Sequence, residues 1–82
     1  MVEKTITDDE HRVLAKMSED DAYWTADIAY DARMRTTGAA RTQLEKLLKK
    51  GLVERVVQGA SGKPSSWRRT AAGTAALSEY WP

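Results

Sequence analysis

The chemistry this chain can offer is carried by its cations. From Arg33 to Arg69 lie Arg33, Arg35, Arg41, Lys46, Lys49, Lys50, Arg55, Lys63, Arg68 and Arg69. These ten basic groups face only two acids, Glu45 and Glu54, a net charge of +8. Residues 1–32 hold nine acids against Lys4, Arg12 and Lys16, a net −6. With Glu79 the whole chain sums to +1, so its near-neutrality conceals two halves of opposite sign. A field of this kind marks a surface built for a polyanion; the plainer reading is a solvated helix face plus a charged loop. Other chemistries have little to work with. There is no cysteine, hence no thiol nucleophile, thiolate metal site or disulfide. His11 is the single histidine, has no second ligand near it in sequence, and reads as a surface or capping residue. Asp8-Asp9-Glu10 and Glu19-Asp20-Asp21 lack the glycine and spacing of a calcium loop and read as solvated helix termini. The expectation is no catalytic residue, no metal and no cofactor.

A chain of 82 residues is expected to form one domain, residues 1–82, with no room for a separate ligand-sensing unit. A chain of this size buries roughly 60–65% of its unfolded surface, so the core is small. No apolar run approaches the ~18 residues needed to span a bilayer. The start, MVEKTITDDE, is polar and unlike a signal peptide. The expectation is therefore a soluble cytoplasmic protein without membrane contact. Apolar residues make up 41% of the chain and are grouped with period, which argues against a disordered tail.

The elements that would position the cations can be read along the chain. Thr7-Asp8-Asp9-Glu10 is a helix start, with Thr7 as cap and Glu10 reaching back. Val13, Leu14 and Met17 then fall on one helical face. Ala22-Tyr23-Trp24 is a short strand or an extended lead-in. Thr25 is the expected cap of a short helix, Ala26 to Ala32, with Ile28 and Ala29 inward. Arg33-Met34-Arg35 makes a tight connection. Thr36 or Thr37 caps a third helix running to Lys50, whose stripe Ala40, Leu44, Leu47 and Leu48 is buried. Gly51 is a left-handed stop. Leu52 to Gln58 is strand-like, residues 59–66 are a turn-rich loop, and Trp67-Arg68-Arg69 is the returning strand. Thr70 caps a last helix from Ala71 to about Tyr80. Trp24, Trp67 and Trp81 read mostly as core and lid residues, Trp67 joining wing to core. Tyr80-Trp81 either folds back on the first helix or forms an interface.

Local sequence adds a resemblance. LEKLLKKGLVER, from Leu44 to Arg55, looks like a recognition helix entering the first strand of a wing. DIAYDARMRTTGAARTQLEKL, from Asp27 to Leu47, resembles a helix-turn-helix. SSWRRTAAGTAAL, from Ser65 to Leu77, resembles the second wing strand followed by a Thr-x-x-Gly helix entry, here Thr70-Ala71-Ala72-Gly73. Over about Thr7 to Tyr80 the chain resembles the small winged-helix domains of MarR- and PadR-like bacterial regulators. That implies an α+β, mostly helical winged helix-turn-helix fold: a three-helix core, a two- to three-stranded wing and a C-terminal helix. The connection Ala32-Arg33-Met34-Arg35 lacks the usual glycine, and Arg69 stands where the family has an apolar residue. The long final dimerisation helices of MarR-like proteins are missing, so their dimer geometry does not carry over.

The resemblance implies double-stranded DNA as partner, with the third helix in the major groove. The face opposite the buried stripe presents Thr37, Gly38, Arg41, Thr42 and Glu45. Arg41 is the candidate for guanine O6 and N7, and Thr42 for a base edge or thymine methyl. The plainer alternative for Arg41 is a solvated side chain or an i,i+4 pair with Glu45. Gly38 permits close approach of the backbone to phosphate. The DNA-binding set is Thr36, Thr37, Gly38, Arg41, Thr42, Lys46, Lys63 and Arg68. Lys63, in the wing, enters a minor groove or touches phosphate. Arg55, Arg68 and Arg69 hold the backbone from the strands, unless Arg69 is half-buried against an acid of the first helix. The expected function is a sequence-specific transcriptional regulator working as a homodimer through its terminal helices, with Ile6, Tyr80 and Trp81 among the apolar groups available. The alternative is a winged-helix protein-interaction module docking through its acidic first half.

Overall fold

A computed structural model describes residues 6–57 and 65–80. In chain order the elements are α1 (Asp8–Leu14), β1 (Tyr23–Trp24), α2 (Thr25–Asp31), α3 (Thr37–Lys49), β2 (Val53–Val57), β3 (Ser66–Arg69) and α4 (Ala71–Ser78). This is an α+β, mostly helical winged-helix arrangement: a three-helix core of α1, α2 and α3, a small antiparallel sheet of order β1-β3-β2, and α4 packed against α1.

The start of α1 is a complete capping box. The Thr7 hydroxyl accepts from the Glu10 backbone N–H at 3.2 Å, and the Glu10 carboxylate accepts from the Thr7 N–H at 3.0 Å. The helix stops at Leu14, sooner than the apolar spacing suggests. Met17 still reaches the core, because the Lys16 and Met17 N–H groups bond back three residues in a tighter turn.

The expected start of α2 needs correction. Trp24, not Thr25, is its N-cap and gives no side-chain cap bond. Thr25 is buried inside the first turn, where its hydroxyl donates to the Ser65 carbonyl at 3.1 Å and accepts the Trp67 indole N–H at 2.7 Å. A tertiary partner has taken the oxygen that a cap would have used. Trp24 itself is not a core residue but stands 45% exposed on the edge strand.

Two helices end in the same motif. After α3, Gly51 is left-handed (φ 75°), its N–H bonding to the Leu48 carbonyl and that of Leu52 to Leu47. This is the Schellman pattern, which satisfies otherwise orphaned carbonyls. After α2 the pattern recurs with Arg33 in the left-handed position (φ 56°), Arg33 N–H bonding to Tyr30 and Met34 N–H to Ala29. The glycine missing from the helix-turn-helix is replaced by a strained arginine. Arg12 supports the turn by donating to the Ala32 and Arg33 carbonyls at 2.9 and 3.2 Å.

Thr36 is the cap of α3, accepting from the Ala39 N–H at 3.0 Å. Ala40, Leu44 and Leu47 are fully buried, while Leu48 is only half-buried against the same cluster. The core joins them to Ile6, Val13, Leu14, Ile28, Leu52, Val53, Trp67 and Ala76. Burial of Ile6 removes it from the apolar groups expected at a dimer surface.

The Thr70-x-x-Gly73 entry has a steric reason. Thr70 caps α4 through the Gly73 N–H at 3.1 Å and donates its hydroxyl to the Gly51 carbonyl at 2.8 Å. A Cβ on Gly73 would stand 2.1 Å from the Leu52 carbonyl oxygen. Only glycine lets α4 lie this close to the start of β2. Beyond α4, Tyr80 folds back: its ring stacks on His11 with centroids 3.9 Å apart, and its hydroxyl bonds to the Asp8 carboxylate. Trp81 lies outside the described residues.

Candidate nucleic-acid interface

The inward stripe of α3 fixes which side chains face out. Thr36, Thr37, Gly38, Arg41, Thr42, Glu45, Lys46 and Lys49 are all exposed. Arg41 forms no ion pair among the described residues, so the i,i+4 pairing with Glu45 is not made. The Thr42 hydroxyl donates to the Gly38 carbonyl at 3.0 Å, which leaves its oxygen lone pairs and methyl group to face outward. A Cβ on Gly38 would meet only the Thr36 hydroxyl, at 3.8 Å. The fold therefore has no steric need of glycine at that position.

Apart from Arg33 and Arg35 of the helix-turn-helix connection, the described cations of the second half divide into two sets. Some are engaged within the chain. Lys50, at the C-cap of α3, holds both oxygens of the buried Glu10 carboxylate at 3.0 and 2.9 Å. Burial pushes the Glu10 carboxyl up, but the Thr7 N–H, the Lys50 ammonium and the Thr7 hydroxyl outweigh it and hold it below its ordinary value. Arg68 is ion-paired across the strands with Glu54, its Nε donating at 2.6 Å. Arg69 turns inward, donating to the Thr74 hydroxyl at 3.0 Å and the Leu14 carbonyl at 3.3 Å. It is half-buried as foreseen, but its partner on α1 is a carbonyl rather than an acid.

Arg41, Lys46 and Lys49 on α3 and Arg55 on β2 make up the second set. None of them forms an ion pair among the described residues. The fold brings Lys46, Lys49 and Arg55 to one groove, with Thr42, Glu45 and Leu48 completing its walls. Lys63 and the tip of the wing lie outside the described residues. No cluster of metal-ligating side chains occurs among the described residues, and no helix there is long and apolar enough to cross a membrane.

Sequence reasoning missed the Glu10–Lys50 pair, the Arg12 support of the turn and the left-handed Arg33. The first two join residues 40 and 20–21 positions apart, a distance at which no local pattern speaks.

Known structures carry the same architecture. No protein-family model matches the chain, and no curated protein does. Among solved structures it is similar to a MarR family transcriptional regulator from Silicibacter pomeroyi, at 25% identity and a TM-score of 0.75, over 94% of this chain and 51% of that one. BpsR of Bordetella bronchiseptica, described by a mechanism for regulation of its DNA binding by 6-hydroxynicotinic acid, gives 18% identity and a TM-score of 0.78, over 96% of this chain and 59% of that one. A complex of S. aureus MepR with DNA gives 22% and 0.71, over 89% and 60%. The fold is that of the MarR-type winged helix, and the chain spans between half and three fifths of the length of these relatives.

Proposed function

We propose that this chain is a sequence-specific DNA-binding transcriptional regulator, acting in the cytoplasm as a single winged-helix domain without catalytic activity. The observation that carries the reading is the outer face of α3. A helix anchored by Ala40, Leu44 and Leu47 holds Arg41, Lys46 and Lys49 exposed and without ion pairs among the described residues, with Arg55 of β2 beside the two lysines. A helix of this kind fits the major groove, its first turns reaching base edges. In this reading Thr36, Thr37 and Gly38 approach a phosphate, Arg41 and Thr42 read bases, and Lys46 holds the backbone. Lys63 takes the minor groove or backbone, and Arg68 assists in proportion to what Glu54 releases. The fold shared with MepR, solved as a DNA complex, supports the reading. Two half-sites one helical turn apart require two copies, so a homodimer through α1 and α4 is part of the proposal.

A salt-series binding assay against random and genomic duplexes tests it. Four to six phosphate contacts per protomer would give a slope of about −0.9 for each in log K against log salt. Absence of binding at low salt, or binding indifferent to salt, rejects the proposal.

A further inference from the structure

Building on the DNA-binding reading, we infer that the groove between α3 and β2 seats one backbone phosphate of the duplex, and that Arg55 is the residue that grips it. The groove encloses about 410 Å³. Lys46 and Lys49 line it from α3 and Arg55 from β2, against a single acid, Glu45. It therefore joins α3 to the base of the wing, the two elements that the DNA-binding reading sets on the duplex, where phosphate contacts fix register.

Arg55 differs from the two lysines in being held. On the sheet it stands directly opposite Trp67, and its guanidinium carbon lies 4.8 Å from the centre of the indole ring. A guanidinium over an aromatic face is held there by attraction to the ring's electron-rich face. The ring is itself fixed. Trp67 is 1% exposed, and its Nε1 donates at 2.7 Å to Thr25, whose hydroxyl donates to the Ser65 carbonyl. A bulge immediately after Arg55 turns the strand locally.

The second observation is a donor without an acceptor. Arg55 Nε is shielded from solvent and has no hydrogen-bond partner among the described residues. A shielded guanidinium N–H left this way is costly and calls for an explanation. A phosphate supplies acceptor oxygens at the spacing of the guanidinium fork, and a small outward turn of the guanidinium on binding would bring this N–H to them. The arginine gives the grip, and the two exposed lysines add charge.

The test is fluorescence anisotropy of the full chain on several unrelated duplexes across a salt series. Arg55→Ala is expected to weaken every duplex alike, roughly tenfold or more. It should also flatten the salt slope by about 0.9. Arg55→Lys should keep the slope and recover only part of the affinity. Lys16→Ala, which removes an exposed cation outside the groove, is the charge control and should match the wild type. Arg55→Gln gives the same readout where Arg55→Ala fails to melt cooperatively. Unchanged affinity and slope in the Arg55 variants of a chain that binds DNA would overturn the inference alone. Equal losses in Lys16→Ala would overturn it too, since the effect would be one of total charge. A wild-type chain that binds no duplex removes the underlying reading and the inference together.

Discussion

Glu10 and Lys50 stand 40 residues apart in sequence and 2.9 Å apart in space. The pair ties the first turn of α1 to the C-cap of α3, so the acidic half of the chain holds the end of the helix that the basic half presents. The two partners differ in surroundings: the Glu10 side chain is 1% exposed and that of Lys50 is 39%. Loss of the lysine would leave a buried carboxylate, whereas loss of the carboxylate would leave an ammonium that water can reach.

That asymmetry gives the first prediction. The folded-state carboxyl of Glu10 is held below its ordinary value. Its contribution to stability is therefore full above that ordinary value and is lost as pH falls through the depressed one. Urea melts across the acid range should show stability falling on this limb. Glu10→Gln should lower neutral-pH stability by about 1–3 kcal/mol and flatten the limb. Lys50→Ala should cost more than Glu10→Gln. An acid limb identical in wild type and Glu10→Gln would exclude this role for the pair.

A second prediction concerns the helix-turn-helix connection. Arg33 holds φ 56°, a conformation that costs a non-glycine residue about 1–2 kcal/mol. Glycine removes that strain but adds about 0.5–1 kcal/mol of entropy in the unfolded chain. Arg33→Gly should therefore be neutral to stabilising by up to ~1.5 kcal/mol, with Arg12 still able to support the Ala32 carbonyl. Destabilisation on chemical melting would mean that the Arg33 side chain supplies more than the backbone strain takes away.

Glycine elsewhere has two opposite meanings. Gly73→Ala would drive a Cβ to 2.1 Å from the Leu52 carbonyl oxygen. It should cost about 2–3 kcal/mol, or the fold itself. Gly38→Ala meets nothing closer than 3.8 Å and should stabilise α3 by up to ~1 kcal/mol. If the bare backbone at Gly38 approaches phosphate, the same variant binds DNA more weakly while melting higher. A variant that melts higher and binds as before would place Gly38 away from the duplex.

These positions also show what sequence conveyed. The Ala40-Leu44-Leu47 stripe, the Thr7 box, the Gly51 stop and the Thr70 cap were legible because each depends on residues within one or two turns, whereas Gly73 was legible only through the family resemblance, its reason being the distant Leu52 carbonyl. The site was legible only as a face. Counting charges over a segment could not reveal that Lys50 belongs to Glu10, Arg68 to Glu54 and Arg69 to Thr74, since those pairings depend on packing and strand register. Thr25 misled for the same reason: its hydroxyl suits a cap, but the indole N–H of Trp67 claims it.

Arg41 and Arg68 should differ in kind. Arg41→Ala removes a side chain that forms no ion pair among the described residues; on the proposed reading face it should cost about 1–3 kcal/mol of binding and relax preference at one base position. Arg68 shares its charge with Glu54, so Arg68→Ala should change DNA affinity little. Glu54→Gln should instead release Arg68, strengthen binding to all sequences and steepen the salt slope. Competition assays on a panel of single-base variants separate the two effects. Uniform weakening by Arg41→Ala would make it a phosphate contact.

The last prediction concerns the end of the chain and assembly. Tyr80 stacks on His11 and bonds to Asp8 within its own chain, so its ring fastens α4 to α1 rather than facing outward. The Asp8 bond, with some burial, raises the tyrosine hydroxyl above its ordinary value. A raised value means that this contribution is complete below the ordinary tyrosine range and is lost as pH rises through the raised one. Tyr80→Phe keeps the stack and loses the bond; Tyr80→Ala loses both. The melting temperature should fall in the order wild type, Phe variant, Ala variant, and the gap between the first two should close at strongly alkaline pH. Sedimentation then isolates assembly. If the homodimer forms through other parts of α1 and α4, the Ala variant sediments as the wild type does at concentrations where both are folded. A shift from dimer to monomer in Tyr80→Ala, with the fold retained, would show that Tyr80 serves the partner subunit and that its contact with His11 is secondary.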